Sequence, residues 1–111
     1  MVSINLLINA REAADFLSLM GSPPRLLIMA HLLDGEVSVN VLGKRLEISQ
    51  PLLSMHLAKL RTLGLVDTRR DSQFIYYSCK SNVVRKLFST LEALYGEDSV
   101  LERRRLVTAA S

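Results

Sequence analysis

The chain has 111 residues, about half of them apolar, with one cysteine and a net charge of +3, which fits a single folded domain with a modest core. One cysteine excludes an intrachain disulfide, and the N-terminal residues lack the basic start and long apolar run of a signal peptide, so we expect a cytoplasmic protein with no membrane partner. The sequence holds no nucleophile–base pair, carboxylate pair or phosphate-binding loop, so we do not expect an enzyme.

The first predicted helix begins at Asn9, because Glu12 follows three residues later in the pattern of a capping box. It runs to about Met20 and ends at Gly21, and its apolar face consists of Ala13, Phe16, Leu17 and Met20. Residues 1–8 form an N-terminal arm, which either packs in an extended form or continues this helix.

A second helix begins at Ser22, since a capping residue followed by two prolines is typical of a helix start. Residues 26–33 are apolar nearly all round, which predicts a central buried helix, and His31 within it is interpreted as a core or interface residue. This helix ends at residues 34–35, and residues 36–37 can add a short strand beside a later hairpin.

Residues 38–63 predict a short helix, a tight turn and a longer helix. Ser38 is the expected N-cap of the first helix, residues 39–46, and residues 47–49 form the turn. This order is the helix-turn-helix unit, whose second helix can enter the major groove of DNA.

The second helix of this unit, residues 50–63, has Ser49 as its expected cap, Pro51 in its first turn and Gly64 just past its end. His56 falls on its core-facing arc and is interpreted as partly buried and bonded to backbone. The leucines of that arc are Leu52, Leu53, Leu57, Leu60 and Leu63.

The opposite side of this helix, which we call the polar face, is small and free of acids. Its residues are Pro51, Ser54, Met55, Ala58 and Thr62, with Gln50, Lys59 and Arg61 at the margins. Such a face suits close approach to base edges, with phosphate contacts at the sides. Taken alone, the helix is equally compatible with an ordinary amphipathic surface helix.

Two β-prone runs, residues 65–70 and 74–79, follow directly and are separated by turn residues. A helix-turn-helix followed by a β-hairpin is a winged helix, and we call this hairpin the wing. Its tip carries Arg69, Arg70 and Gln73, which are candidates for contacts with phosphates or with the minor groove.

The basic excess of the chain lies between residues 36 and 80, where seven basic residues stand against four acidic ones, while the rest is balanced. The excess therefore coincides with the helix-turn-helix and the wing. A dimer would double it and place two such patches along a duplex, which supports DNA as the partner.

Ser81 caps a final predicted helix that ends at Gly96. Its apolar stripe consists of Val84, Leu87, Phe88, Leu91, Leu94 and Tyr95. Together with Phe16, Leu17 and Met20 of the first helix, this stripe exceeds the needs of one small core, so we predict a homodimer through the first and last helices. The alternative is that the stripe completes the core of a single chain.

The predicted organisation has three parts: the arm at residues 1–8, a winged-helix DNA-binding and dimerisation domain at 9–96, and a basic tail at 97–111 that is expected to be flexible. The tail includes the run Glu102-Arg103-Arg104-Arg105, interpreted as a solvated helix, with a phosphate-contacting arm as the alternative.

The order of these elements and several motifs resemble the ArsR-type winged-helix repressors, over about residues 10 to 96. The fold class that follows is mainly α with a small β-hairpin, comprising about five helices and a two-stranded wing. The wing and the last helix are most similar to the branch of nodulation and haemolysin regulators. The matching stretches are residues 21–26, 48–50, 54–61, 64–66, 68–71 and 75–78.

The resemblance implies a homodimeric transcription regulator, usually a repressor at a promoter palindrome. Carried over by motif, the major-groove contacts would come from Ser49, Gln50, Ser54 and Met55. The chain departs from the branch at Pro51 and Met55, where a serine and a glutamine are common. A methionine cannot donate a hydrogen bond but can contact a thymine methyl group.

Many members of the family sense metals or oxidants, and the residues for doing so are missing here. Ser38 and Asn40 stand where thiolate ligands would be needed, and residues 82–95 lack the histidine and aspartate of the other metal site. Ala30 and Gly96 occupy the positions of a dithiol switch. We therefore expect no metal or other cofactor.

Cys79 is interpreted as a small buried hydrophobe, because no neighbouring base that would lower the pKa of its thiol is evident. The alternative is a repressor that senses through this lone cysteine.

The leading hypothesis is a repressor that occupies a promoter inverted repeat and is nucleoid-associated when bound. Phosphate contacts would come from Lys44, Lys59, Arg69 and Arg70. The alternative is a winged-helix protein-interaction module, which predicts an acidic or apolar recognition face and is disfavoured by the acid-free polar face.

Overall fold

The computed structural model describes residues 1–97 and folds them into six α-helices and a three-stranded sheet. The elements in chain order are α1 (Ile4–Ile8), α2 (Ala10–Met20), α3 (Pro23–Leu33), β1 (Val37–Ser38), α4 (Val39–Leu46), α5 (Gln50–Thr62), β2 (Asp67–Asp71), β3 (Phe74–Ser78) and α6 (Asn82–Tyr95). The chain forms two compact units, divided between Lys80 and Ser81. The predicted winged helix-turn-helix is confirmed, with one helix more than the five expected and with the short additional strand that residues 36–37 suggested.

The core of the first unit is centred on α3, as the apolar run in the sequence predicts. Ile28, Met29 and Leu32 of this helix are wholly buried, whereas Leu27 on its other side is 54% exposed. Leucines of α4 and α5 complete the core from the helix-turn-helix, so the same burial that stabilises the domain fixes the orientation of both helices.

The N-terminal residues form a helix of their own rather than an extended arm. Ser3 caps α1 by accepting a hydrogen bond from the Leu6 amide. Asn9 lies between α1 and α2, as expected of an N-cap, but its side-chain amide donates back to the carbonyl of Asn5. The predicted capping box at Asn9 is therefore wrong in its side-chain bonding, because the preceding helix offers a nearer acceptor.

The wing is part of a three-stranded antiparallel sheet in the order β1-β3-β2. In the short strand β1, Val37 pairs with Tyr77 of β3. This strand begins at Val37, one residue later than the strand predicted at residues 36–37. At the other end of β3, the Cys79 amide donates to the carbonyl of Leu32 at 3.1 Å. The sheet is therefore fastened both to the start of α4 and to the end of α3.

The second unit begins with Ser81, whose hydroxyl accepts from the Val84 amide and caps α6. The helix ends at Gly96, as predicted. Within the stripe of α6, Val84 is wholly buried, while Leu94 and Tyr95 are 41% and 68% exposed. The predictions for the basic tail beyond residue 97 lie outside the described residues.

Among the described residues, no single helix has the length and apolar composition needed to cross a membrane. Within residues 1–97, α2 and α3 taken together reach that length and composition, but they meet at an angle of 91°.

Candidate nucleic-acid interface

The helix-turn-helix has the boundaries that the sequence predicts, except that α5 ends one residue earlier, at Thr62. Ser38 caps α4 through its hydroxyl, which accepts from the Val41 amide at 3.3 Å. Glu47 takes the left-handed conformation at φ 54°, which lets the Ile48 amide donate to the carbonyl of Gly43 at 3.1 Å and ends the helix. The chain then turns directly into α5.

Ser49 is the N-cap of α5 by position, but its side chain makes no capping hydrogen bond. The first turn is held instead by the backbone, since the Leu53 amide donates to the carbonyl of Ser49 at 2.9 Å. The Ser49 hydroxyl thus stays available for an outside partner.

The core-facing side of α5 is narrower than predicted. Leu53, Leu57 and Leu60 are at most 2% exposed, but Leu52 and Leu63 are 41% and 47% exposed. The fourth buried residue is His56, which completes a stripe with the spacing i, i+3, i+4, i+7. The expectation that all five leucines face the core is therefore wrong at one edge of the arc, where Leu52 and Leu63 both lie.

His56 is more deeply buried than expected, and the predicted backbone hydrogen bond is absent at one of its nitrogens. Its Nδ1 atom is buried and has no hydrogen-bond partner among the described residues. Burial lowers the pKa of His56 below the ordinary 6.5, and the positive charges of Arg25 and Lys59 lower it further. The imidazole is therefore neutral at physiological pH, which argues against a charged phosphate contact from this residue.

The polar face of α5 is open to solvent, with Ser54, Met55, Ala58 and Thr62 all exposed. Thr62 donates its hydroxyl to the carbonyl of Ala58 at 3.0 Å, so its hydrogen-bonding capacity is partly used within the helix. Ser54 and Met55 have no such internal bond among residues 1–97. These two therefore present a hydroxyl and a thioether outward, as the predicted major-groove contacts require.

Gln50 is held in place by Asn40, which stands at the position of a family metal ligand. Its side-chain amide donates to Oδ1 of Asn40 on α4 at 2.9 Å. The carbonyl oxygen of the same amide is left free to accept a bond. No local pattern could reveal this pairing, since the two residues belong to different helices.

Arg69 of the wing is already paired inside the protein. Its Nε and Nη2 atoms donate to the two carboxylate oxygens of Glu36 at 2.9 and 2.7 Å, in a fork-to-fork geometry. Its guanidinium also lies over the ring of Tyr76, 4.6 Å from the centroid, because the two residues are directly opposed in β2 and β3. We call this group the Glu36–Arg69–Tyr76 clamp.

The clamp changes the expected role of Arg69 as a phosphate contact. Hydrogen bonding to Arg69 lowers the pKa of Glu36 below 4.5, and the same bond raises the pKa of Arg69. Glu36 therefore carries its negative charge at neutral pH and balances that of the arginine. The neighbouring Arg70 has no ion pair among the described residues, and with Gln73 it is exposed near the tip.

A groove of about 380 Å³ separates the polar face of α5 from the wing. Its helical wall includes Gln50, Ser54 and Arg61, and its wing wall includes Gln73 and Phe74. The remaining lining residues are Ser38, Val39, Asn40, Leu57, Ala58, Ile75 and Tyr77. Arg61 was predicted at the margin of the polar face but not among the DNA contacts.

The remaining predicted phosphate contacts, Lys44 on α4 and Lys59 on α5, are both exposed. Lys44 lies in the last turn of α4, and Lys59 in the last turn of α5. The structure thus brings the predicted DNA contacts to the surface of two adjacent helices, their turn and one hairpin, and three of them, Gln50, Ser54 and Gln73, line the groove.

The candidate dimer residues fall into two classes. Met20 and Val84 are buried within the single chain, which removes them from any exposed face. Leu17 is 58% exposed, whereas Phe16 is half-buried. Several apolar side chains of α1 are also exposed. On α6, the two C-terminal members of the stripe are exposed, while the middle three, Leu87, Phe88 and Leu91, are half-buried.

The described residues contain no cluster of three histidine, cysteine or acidic side chains that could hold a metal ion. Cys79 is 2% exposed, which confirms its interpretation as a small buried side chain. Its burial also keeps the thiol away from oxidants in solution.

Comparison with known proteins identifies the family. Residues 22–68 match the model of bacterial regulatory proteins of the arsR family. The chain is 46% identical over 100 residues to the nodulation protein NolR of Rhizobium meliloti, covering 89% of this chain and 82% of the relative. It is 44% identical over 87 residues to the transcriptional activator HlyU of Vibrio cholerae, covering 78% and 81%.

A solved structure agrees with these matches at the level of the fold. The transcriptional repressor BigR from Xylella fastidiosa superposes with a TM-score of 0.79 at 33% identity, covering 86% of this chain and 97% of the other. The resemblance drawn from the sequence motifs is confirmed, and this chain belongs to the arsR family of bacterial regulatory proteins.

Proposed function

We propose that this protein is a homodimeric, sequence-specific DNA-binding regulator that represses transcription by occupying a promoter inverted repeat. The observation that carries the proposal is the exposed, acid-free polar face of α5, which lies beside an arginine-bearing wing. The relatives support the regulatory role, although one is named an activator and another a repressor.

Base contacts are assigned to the N-terminal half of α5. Gln50, Ser54 and Met55 are the candidates that reach base edges, with Ser49 at the very start of the helix. Gln50 is the strongest of these, because its bond to Asn40 orients the amide before DNA binds and reduces the entropy lost on binding. Met55 adds an apolar contact that suits a thymine methyl group.

Phosphate contacts are assigned to exposed cations around this face. Lys44, Lys59 and Arg70 are the candidates with no acidic partner among the described residues, and Gln73 adds a neutral donor. These contacts supply affinity that depends on salt but carry no sequence information.

Dimerisation is supported by apolar side chains that a single chain leaves exposed. They include Leu17 on α2 and Tyr95 on α6, and on α1 they include Ile4, Leu7 and Ile8. Burial of such side chains against a second copy gains roughly 25 cal/mol per Å² of apolar surface. A two-fold dimer would present two copies of α5 to half-sites about one helical turn apart.

We further propose that the protein works without the metal and dithiol sensors that many relatives use. Ser38 caps α4 with its hydroxyl and Asn40 is bonded to Gln50, so both side chains at the metal-ligand positions have structural roles instead. The burial of Cys79 argues against a sensor based on this thiol alone.

Selection of bound duplexes from a random pool at about 150 mM salt tests the proposal. We expect enrichment of an inverted repeat with half-sites about 10 base pairs apart, centre to centre. Ser54→Asp, which places an acid on the polar face, should abolish the enrichment. Ser3→Asp adds the same charge at a remote helix cap and should leave it intact.

Recovery of unenriched DNA would contradict sequence specificity, and recovery of no DNA would favour a protein-interaction module. Sedimentation analysis of the same sample should give twice the chain mass, and a monomer that still selects an inverted repeat would contradict the proposed dimer.

A further inference from the structure

We infer that the groove between α5 and the wing binds one phosphodiester group of a DNA strand, with Arg61 as the cation that holds it, while Arg69 positions the wing. This inference rests on the proposed DNA-binding function and adds a phosphate site that the motifs did not reveal. It assigns different roles to two arginines that composition and exposure alone do not distinguish.

The electrostatics of the groove favour a singly charged anion. Among residues 1–97, Arg61 is the one charged residue that lines it, and none of the lining residues in that range is an acid. The side chain of Arg61 makes no hydrogen bond or ion pair with any other described residue, so its five donors are unused. A guanidinium in this state is matched to the two non-bridging oxygens of a phosphodiester.

The neutral lining is suited to the rest of such a ligand. The Gln73 amide on the wing and the Ser54 hydroxyl on α5 supply donors on opposite walls. Leu57, Ile75 and Tyr77 contribute apolar surface against which a sugar ring can pack. The groove therefore combines a charge, neutral donors and an apolar surface, as a nucleotide backbone requires.

The position of the groove indicates DNA rather than a small free anion. Gln50, Ser54 and Ala58 line it and also belong to the polar face of α5 or its margin. A strand whose bases meet that face therefore passes the mouth of the groove. An anion bound there alone would leave these neighbours without a partner.

Arg69 contrasts with Arg61 in every respect that matters for phosphate binding. Its guanidinium is engaged by both oxygens of Glu36 and by the ring of Tyr76, and Asp71 lies 4.0 Å away. Glu36 immediately precedes β1, so the clamp ties the outer strand of the wing to the segment that leads into α4. Arg69 therefore holds the wing wall of the groove in place.

The test is the salt dependence of DNA affinity for matched variants of the full chain. For Arg61→Gln we expect binding to cognate and random duplexes to weaken by about ten-fold alike, and the slope of log K against log salt to become shallower by about one unit. For Arg69→Gln we expect weaker binding with an unchanged slope, and Glu36→Gln should give the same loss without further loss in the double variant.

Controls separate charge from folding. Arg11→Gln removes an exposed arginine of α2, outside the helix-turn-helix and the wing, and should change neither affinity nor slope. Arg61→Lys keeps the charge but loses the fork, so it should retain the slope with reduced affinity. Thermal unfolding of each variant identifies any loss that comes from misfolding.

The inference is overturned if Arg61→Gln, folded and binding DNA, keeps the wild-type slope, or if Arg69→Gln is the variant that loses a unit. Saturable displacement of DNA by inorganic phosphate at constant ionic strength would assign the groove to a free anion instead. If the wild-type chain binds no DNA, the proposed function fails as well, and the two failures are thereby distinguished.

Discussion

The helix-turn-helix and the wing are neighbours in the fold, but the hydrogen bonds that shape them join residues at different separations in the sequence. The bonds that shape α4 and the turn, from Val41 to Ser38 and from Ile48 to Gly43, join residues three and five positions apart. The bond that decides the role of the wing joins Glu36 to Arg69, 33 positions apart. The scaffold of the interface is thus locally determined, whereas the charge it offers depends on the tertiary structure.

The largest expected effect is on the free energy of unfolding, when a packed side chain is removed from each of the two regions. Leu53→Ala, at a wholly buried site of α5, should lower the free energy of unfolding by about 2–5 kcal/mol. Ile75→Ala in β3 removes a half-buried side chain and should cost clearly less. Urea denaturation measures both, and equal losses would show that the wing depends on the core as strongly as the recognition helix does.

The next effect separates base contacts from phosphate contacts, with one variant in each region. Gln50→Ala in α5 should cost roughly 1–3 kcal/mol at a single base position and little on random DNA. Arg70→Ala in the wing should weaken all duplexes similarly and make the salt slope shallower by about one unit. Binding isotherms on a set of single-base operator variants give both results, and equal losses from Gln50→Ala on cognate and random DNA would rule out its role in specificity.

A smaller effect concerns backbone conformation, because each region has one non-glycine residue with a positive φ. Glu47 in the helix turn has φ 54° and Ser72 in the hairpin turn has φ 55°. A left-handed residue other than glycine costs roughly 1–2 kcal/mol, and part of this returns as chain entropy when glycine is introduced. We expect Glu47→Gly to stabilise the fold by about 0.5–1 kcal/mol.

The matched variant Ser72→Gly should shift the thermal midpoint less than Glu47→Gly, since serine tolerates turns and the hairpin ends in solvent. Destabilisation by Glu47→Gly would mean that the glutamate side chain has a role in the turn that its geometry does not suggest.

The smallest effect is a separation of the two regions by pH. The lowered pKa of His56 means that the unfolded chain binds the proton first, so the free energy of unfolding should fall as the pH drops below about 6.5. The pKa of the Glu36 carboxyl is lowered in the folded state, so the clamp makes its full contribution to stability above pH 4.5, the ordinary pKa of the group. That contribution is lost as the pH falls through the lower pKa of the folded state.

Unfolding curves between pH 7.5 and pH 3.5 should therefore show two windows of declining stability. His56→Leu should flatten the upper window and leave the lower one, whereas Glu36→Gln should do the reverse. If His56→Leu leaves the upper window unchanged, the buried imidazole is not the group that titrates there.

Much of the fold was predictable because its signals are local. Ser38, Ser81 and Gly96 mark helix ends through bonds within one turn, and the structure places those ends where the sequence does. The burial of Leu52 and His56 was harder to predict. The two residues lie at similar positions on the arc, so which of them is buried depends on the helices that pack against α5. The first strand was predicted within one residue and beside the wing, but its register, with Val37 opposite Tyr77, could not be read from the sequence.

The candidate site was predictable in its composition but not in its pairings. The polar face of α5 follows from helical periodicity, so its exposed residues were identified correctly. The partners of Gln50 and Arg69 lie ten and 33 positions away, and no periodic pattern links them. Arg61 was not predicted as a DNA contact for the same reason, because its proposed role as a phosphate ligand depends on the wing residues on the other side of the groove.

Ser38 is at once the last residue of β1 and the cap of α4, so the sheet and the helix-turn-helix share a residue without a spacer. A joint of this kind has no hinge, and a displacement of the wing would be passed directly to the first turn of α4. One inserted residue between 38 and 39 would rotate the module relative to the sheet, whereas an insertion at 72–73 would only lengthen the tip. We therefore expect the backbone amides of β1, β3 and α4 to exchange with solvent deuterium as one cooperative unit.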